Sequence, residues 1–264
     1  MAPKTGRLPD PAIPEGVTGQ SLSQEVWDEL KTLSKDNMKA VAGHIESAYL
    51  FLDEDLEAAV AHAETAVRRA GRVASARECL GIVRYSQGEW HEALRELRTA
   101  TRLSGQAHLL PMMADCERGL GRPEKALELA DSREAARLQG EALVEMAIVL
   151  SGAHRDLGNP TRAVEILATP AARIKKGNPE AGRLWFAHAE ALADAGSPEA
   201  PEWYAKAASV GETGQPKDRG PQDGVFMDLE DGAPDLPPEP EAPTPAESAS
   251  HDPLPEEPTE EPAP

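Results

Sequence analysis

The apolar positions between residues 21 and 210 follow a helical period, and the pattern repeats. In its clearest stretch Ala93, Leu97 and Ala100 are four and three residues apart, so they share one face of a helix. Gly88 stands just before this helix and can end the preceding one, because glycine accepts the left-handed backbone conformation. The pattern predicts two helices joined by a tight turn.

This arrangement of a turn glycine followed by an apolar helix recurs along the chain. The turn glycines Gly88, Gly121, Gly158 and Gly196 are 33, 37 and 38 residues apart. A period of this length is the sequence signature of stacked helical repeats, which bury their apolar faces against one another. Five helix-turn-helix units are predicted, over residues 37–73, 74–106, 107–140, 141–178 and 180–210.

A short helix is predicted before the repeats. Ser21 and Gln24 have the spacing of a capping box, in which two side chains satisfy free backbone N–H groups at the start of a helix. The apolar face of this helix is formed by Leu22, Val26, Leu30 and Leu33, with Trp27 beside it. We expect the helix to cap the first unit.

Several repeated residues resemble the tetratricopeptide repeat (TPR) family. In residues 74–106 the resemblance is carried by Leu80, Gly81, Gly88, Ala93, Leu97 and Ala100. The later units keep the turn glycine and the alanine after it, and Trp185 fits the aromatic position of the family. The resemblance covers residues 37–210 and implies an all-α solenoid whose first helices line a concave groove for another protein.

The chain also departs from the family pattern at three places. Arg84 stands where the family favours Tyr. In the third unit, residues 107–140, Met113–Ala114 replaces the Leu-Gly pair. The first unit lacks the turn glycine. The resemblance is therefore strongest for residues 74–106 and weakest for residues 37–73.

Both ends of the chain differ from the repeats in charge and proline content. The net charge of the whole chain is −19, and residues 211–264 carry 15 acidic and two basic residues together with 13 of the 24 prolines. Such a segment buries too little apolar surface to offset its conformational entropy. We expect a disordered N-terminal arm over residues 1–20, a helical repeat domain over 21–210 and a disordered acidic tail over 211–264.

Composition also sets expectations about the cellular location. No apolar stretch approaches the roughly 20 residues of a membrane-spanning helix, and no apolar signal-peptide core follows Lys4 and Arg7. We expect a cytoplasmic protein in which Cys79 and Cys116 stay reduced and act as small apolar residues. Arginine outnumbers lysine 18 to 9, which is typical of a GC-rich bacterial coding sequence.

Motifs for catalysis, metals or cofactors are not visible in the sequence. No two of the seven histidines have helical zinc-site spacing, and neither cysteine belongs to a CxxC motif. The run Gly119–Gly121 lacks the third glycine and the lysine of a phosphate loop, and it is better interpreted as a helix end with Pro123 opening the next helix. We expect a protein that is not an enzyme and that uses neither cofactor nor metal.

Alignment of the units on their turn glycines predicts one row of side chains on the first helices. The row consists of Phe51, Tyr85, Arg118 and Arg155, with Glu78, Ile82, His108, Asp115 and Arg183 as further groove candidates. An aromatic anchor with two guanidinium groups suits a peptide whose carboxylates the arginines grip. Alternatively, the arginines pair with neighbouring acids such as Asp115 and Asp156 as solvated surface.

A small apolar cluster interrupts the acidic tail. It consists of Val225, Phe226, Met227 and Leu229. Such a cluster can dock in a groove of another protein or fold back onto this chain, where Arg118 and Arg155 would meet the acids around it. It can equally be a chance cluster in a low-complexity segment.

These observations favour a non-catalytic scaffold that binds a segment of another protein in its groove, with a tail for solubility or regulation. A membrane partner is not expected. The alternative is a regulator that binds RNA or a nucleotide and is shielded by the acidic tail. The mildly acidic repeats argue against it, because phosphate binding needs a basic surface.

Overall fold

The computed structural model describes residues 9–212, and every regular element in that range is helical. The helices are α1 Gln24–Leu30, α2 Lys35–Phe51, α3 Leu56–Ala70, α4 Ala74–Ser86, α5 Trp90–Ser104, α6 Leu110–Gly119, α7 Pro123–Ala130, α8 Gly140–Asp156, α9 Pro160–Arg173, α10 Ala181–Asp194 and α11 Ala200–Ala208, with a 3₁₀ helix over Ala135–Arg137. The predicted all-α class is confirmed for these residues. The apolar tail cluster of Val225, Phe226, Met227 and Leu229 lies outside them.

Consecutive helices pack against each other in chain order. After α1 the helices form five pairs, α2–α3, α4–α5, α6–α7, α8–α9 and α10–α11, one in each predicted interval. The second helix of each pair contacts the first helix of the next pair, and α2–α4, α6–α8 and α8–α10 contacts join first helices directly. This arrangement is consistent with an α-solenoid.

The turns inside the pairs follow the sequence pattern. Gly88, Gly121, Gly158 and Gly196 have φ values of +75°, +68°, +71° and +67°, a conformation that other residues rarely adopt. The first pair has no such glycine. There Asp55 caps α3, and its carboxylate accepts the backbone N–H of Ala58 at 3.0 Å.

The core is built largely from small residues. Gly81 of α4 lies so close to α5 that an added Cβ atom would stand 2.7 Å from Leu97 Cδ2. Cys79 and Cys116 are fully buried, as expected of small apolar residues. Burial raises the pKa of the Cys116 thiol to about 12 and that of Cys79 further.

The N-terminal helix forms as predicted, but its cap differs. The first residue of α1 is Gln24, and Ser23, not Ser21, caps it by accepting the backbone N–H of Val26 at 3.4 Å. Leu30 is fully buried against the first helix pair. Glu29 accepts the backbone N–H of Ser75 at 2.8 Å and so satisfies the start of α4.

The arm before α1 differs from the expected disorder. Residues 9–20 carry no regular helix, and they lie against α2 and α3. Proline and glycine disfavour a helix here, as the sequence indicated, but side-chain contacts hold the segment against the first pair. Among the described residues, no helix combines the length and apolar character needed to cross a membrane.

Candidate functional site

The structure places the predicted row at the ends of successive first helices. Tyr85, Arg118 and Arg155 lie in the last turns of α4, α6 and α8, and all three are half-buried. Phe51 occupies the last turn of α2, where its ring stacks on His62 at a centroid distance of 5.7 Å. The four residues thus lie at equivalent positions of the first helices, as the alignment predicted. Phe51, however, belongs to the core of the first pair.

Hydrogen bonds link this row across α4, α6 and α8. The Tyr85 hydroxyl donates to Asp115, which also accepts from Arg118 at 2.8 Å. The same guanidinium group donates to both carboxylate oxygens of Asp156 on α8, at 2.7 and 3.3 Å. Three first helices are therefore joined by one chain of side chains.

The pattern continues from α8 to the last pair. Arg155 donates to Asp194 at 2.5 Å and to Glu190 at 3.0 Å, both on α10. Glu190 also accepts from the hydroxyl of Tyr204 on α11. We call this row the first-helix ladder, with the members Tyr85, Asp115, Arg118, Arg155, Asp156, Glu190 and Asp194.

The ladder contains more acidic than basic groups. It has four carboxylates and two guanidinium groups, so its formal charge is −2. Both arginines already hold two carboxylates each. The pairing with Asp115 and Asp156 is therefore the arrangement that the structure adopts for Arg118. An incoming carboxylate would have to displace these partners.

A glycine in α8 makes room for the central arginine. The guanidinium group of Arg118 lies directly against the backbone at Gly152, where an added Cβ atom would overlap it. The planar group thus packs on a helix surface while its edges donate to the acids on either side. This close approach holds Arg118 in one orientation.

A second row of ion pairs lies near the starts of the same helices. His108 and Glu78 are 3.2 Å apart, and this hydrogen bond raises the pKa of the imidazole. Arg183 holds Glu145 at 2.6 Å and lies 3.7 Å from Glu180. Burial raises the pKa of Glu145 to about 7, with a contribution from the neighbouring Glu180.

The remaining groove candidate, Ile82, is half-buried on α4. Two open depressions lie elsewhere on the array. One of about 400 Å³ is formed by α8, α9, α10 and the α9–α10 connection, with Val144, Ile174 and Leu184 in its wall. The other, of about 440 Å³, lies beside Phe186 and Tyr204 at the last pair.

The titratable groups of the ladder are paired, and the thiols of the core are buried. The ladder carboxylates are engaged with arginines or tyrosine hydroxyls, and the two buried thiols have raised pKa values that disfavour the thiolate. Among residues 9–212, no group of three histidine, cysteine or acidic side chains is placed to hold a metal ion.

Sequence reasoning did not identify several members of these rows. Glu190 and Asp194 complete the ladder, and Tyr204 of α11 donates to Glu190. Glu145 and Glu180 surround Arg183. A signal for one of them was present. Asp194 stands two residues before its turn glycine, as Asp156 does before Gly158. The two acids therefore occupy equivalent positions, so Asp194 is to Arg155 what Asp156 is to Arg118.

No model of a known protein family matches the chain, and a search of the curated proteins finds no match.

Proposed function

We propose that the five helix pairs are TPR-like repeats and that the protein is a non-catalytic scaffold whose first-helix ladder binds a cationic, extended segment of another protein. The observation that carries this proposal is the row of four carboxylates over the three first helices α6, α8 and α10, to which Tyr85 connects α4. The side chains of Asp156 and Asp194 are 39% and 45% exposed, although each is paired with an arginine.

The ladder acids have capacity for further hydrogen bonds. An ionised carboxylate accepts about four hydrogen bonds, and the Asp194 carboxylate accepts one, from Arg155, within the described residues. Partly exposed ion pairs contribute only about 0–1 kcal/mol to folding. A lysine or arginine from a partner can therefore share these carboxylates at little cost to the fold.

The helix spacing sets the geometry of the bound segment. Packed helices lie about 8–10 Å apart, so carboxylates on successive first helices recur at about that interval. An extended chain of polyproline type advances about 9 Å in three residues. A segment with a basic residue at every third position would place each cation near one first helix.

The charge of the ladder bears on the two alternatives from the sequence. A peptide held by its carboxylates would have to compete with Asp115 and Asp156 for Arg118. RNA would bring phosphates to a surface where carboxylates outnumber guanidinium groups, and phosphate binding depends on cations. Neither alternative gains support from the ladder.

The test compares short peptides of equal length by fluorescence anisotropy with the full-length protein. We expect tightest binding by the peptide with lysine at every third position, and weaker binding by a scrambled peptide, an acidic peptide and single-stranded RNA. The affinity should fall with added salt, because the contacts are ionic.

A pair of variants locates the binding surface. Asp156→Asn with Asp194→Asn should weaken the lysine peptide by about tenfold or more, because a hydrogen bond to a charged group contributes about 1.5–3 kcal/mol. The control, Glu124→Gln with Glu128→Gln on α7, removes the same charge away from the ladder and should leave affinity nearly unchanged. Equal losses in both variants, or preference for the acidic peptide or RNA, would contradict the proposal.

A further inference from the structure

The face formed by α2 and α3 already holds a non-helical peptide, namely residues of the chain's own N-terminal arm, which turns after Pro14. Residues 10–21 cross this face and contact it at three points. Each contact has its own chemistry: a carboxylate binds arginines, an aliphatic side chain packs on a glycine, and backbone N–H groups donate to a glutamate. They show which kind of segment the face accepts.

The first contact is a carboxylate between two arginines. Arg68 donates to Asp10 at 2.5 Å, and Arg69 donates through Nε at 2.8 Å and through its terminal nitrogen. Asn37 of α2 accepts from Arg69 at 3.2 Å and so orients the guanidinium group. The hydrogen bonds from Arg68 and Arg69 lower the pKa of Asp10 to about 2.

The second contact is an aliphatic side chain that packs on a helix at a glycine, where the helix has no side chain. Ile13 lies on α2 at Gly43, where an added Cβ atom would stand 2.7 Å from Ile13 Cδ1. Gly43 is buried in the middle of α2, although glycine lowers helix stability by about 1 kcal/mol relative to alanine. The missing side chain creates the slot that Ile13 fills.

The third contact binds the backbone of the arm. Glu46 of α2 accepts the backbone N–H of Gly19 and, at 2.9 Å, that of Ser21. The indole N–H of Trp27 donates to the carbonyl of Gly19 at 3.1 Å. These bonds hold the segment where it turns towards α1.

The arm is also prepared for binding before it docks. Pro9, Pro11 and Pro14 fix φ near −65° and disfavour helix in the residues before them. A stiff, extended segment loses less conformational entropy when it binds, which is the advantage of proline-rich ligands.

We propose that the α2–α3 face is a second docking site, specific for a short extended segment with a carboxylate three residues before an aliphatic side chain, and that the N-terminal arm is its intramolecular occupant. A partner segment of that chemistry displaces the arm. The inference is independent of the proposed ladder function, because it concerns a different face and a ligand of opposite charge.

The tether sets the strength of the competition. A flexible linker gives an intramolecular ligand an effective concentration of about millimolar. An external segment therefore binds the intact protein weakly, and its apparent affinity rises when the arm is weakened. Only a ligand with enough affinity for the face displaces the tethered arm, so weak ligands do not bind.

The experiment uses the full-length protein and a fluorescent, acetylated peptide with the sequence of residues 9–16. In the variant Asp10→Asn with Ile13→Ser, the arm loses its acidic and aliphatic contacts. We expect this variant to bind the peptide at least about tenfold more tightly than the wild type does. A peptide with asparagine in place of the aspartate serves as the matched control and should bind neither protein.

A third variant tests whether the peptide occupies the same face. Arg69→Gln, added to the weakened arm, should abolish peptide binding while circular dichroism shows an unchanged helical content. Equal binding to the wild type and the weakened-arm variant would overturn the inference. So would a lack of binding to a weakened-arm variant that remains folded, or binding that survives Arg69→Gln.

Discussion

Two sets of ion pairs join the middle helices, and they differ in burial. On the ladder, the acids that pair with Arg118 and Arg155 across helices are half-exposed. Between α4, α5 and α6, by contrast, Glu96 and Glu117 have side chains that are only 5% and 2% exposed. Arginine–carboxylate pairs thus occur both at a partly exposed surface and in a buried position.

Each buried glutamate is held between two arginines. Glu96 pairs with Arg77 at 2.6 Å and with Arg95 at 3.1 Å. Glu117 pairs with Arg98 at 2.7 Å and with Arg122 at 3.0 Å. A buried charge is costly unless it is paired, so these clamps are structural, whereas the exposed ladder pairs can rearrange around a ligand.

The largest effect should come from removing the arginines of a buried clamp. Arg98→Met with Arg122→Met leaves the Glu117 carboxylate buried without a cation. We expect a loss of about 3–5 kcal/mol in the free energy of unfolding, measured by urea denaturation. Adding Glu117→Met should recover most of the loss, because an apolar replacement removes the unpaired charge. A double variant as stable as the wild type would show that burial does not distinguish the two sets.

A smaller effect, dependent on pH, should come from the buried histidines of the first pair. His44 and His62 share a hydrogen bond of 2.9 Å between their Nδ1 atoms, with Asp10, Arg68 and Arg69 nearby. Burial, followed by the charge of His62, lowers the pKa of His44 to about 4, and burial also lowers the pKa of His62. Between pH 4 and 6.5 the unfolded chain therefore binds more protons than the folded one, and stability falls as the pH falls.

The variant His44→Gln removes this titration and keeps a group that can hydrogen-bond to His62. We expect the stability of the wild type, relative to the variant, to decrease by about 2 kcal/mol between pH 7 and pH 5. The measurement is the urea midpoint of both proteins at the two pH values. Parallel pH profiles would show that the His44 pair does not titrate as the geometry indicates.

The smallest effect on stability is expected on the ladder itself. Arg118→Gln or Arg155→Gln removes the ion pairs of a half-buried guanidinium group with partly exposed acids, and such pairs contribute about 0–1 kcal/mol. We therefore expect a change of less than about 1 kcal/mol in the free energy of unfolding, with an unchanged denaturant slope. A loss as large as that of the buried clamp would identify the ladder as structural and would remove the main reason for assigning it to binding.

The sequence predicted what depends on local spacing. The turn glycines, the helix pairs and the common slot of Tyr85, Arg118 and Arg155 follow from residues within one unit. Of the groups that meet only after the helices stack, the sequence offered the pair of Arg118 with Asp156 as one of two alternatives, and it did not indicate the contacts of the first pair. His44 and His62 lie 18 residues apart on different helices, and Asp10 reaches Arg69 over 59 residues.

Some missed features did leave a local signal. Glu96 stands between Ala93, Leu97 and Ala100 on the apolar face of α5, where a solvated acid is not expected. An acid in the middle of an apolar stripe indicates a buried charge that needs a cation. Arg95 is adjacent to Glu96, but nothing local indicates that Arg77 pairs with Glu96, because Arg77 belongs to the preceding helix.

The position of the bound lysine peptide decides whether the ladder is the binding surface. A peptide carrying a photo-crosslinking group, bound to the full-length protein, reports its contacts by mass spectrometry. We expect adducts on the first helices α4, α6, α8 and α10, and their loss in the Asp156→Asn with Asp194→Asn variant. Adducts concentrated on the second helices α5, α7 and α9, or unchanged in that variant, would contradict the proposed function.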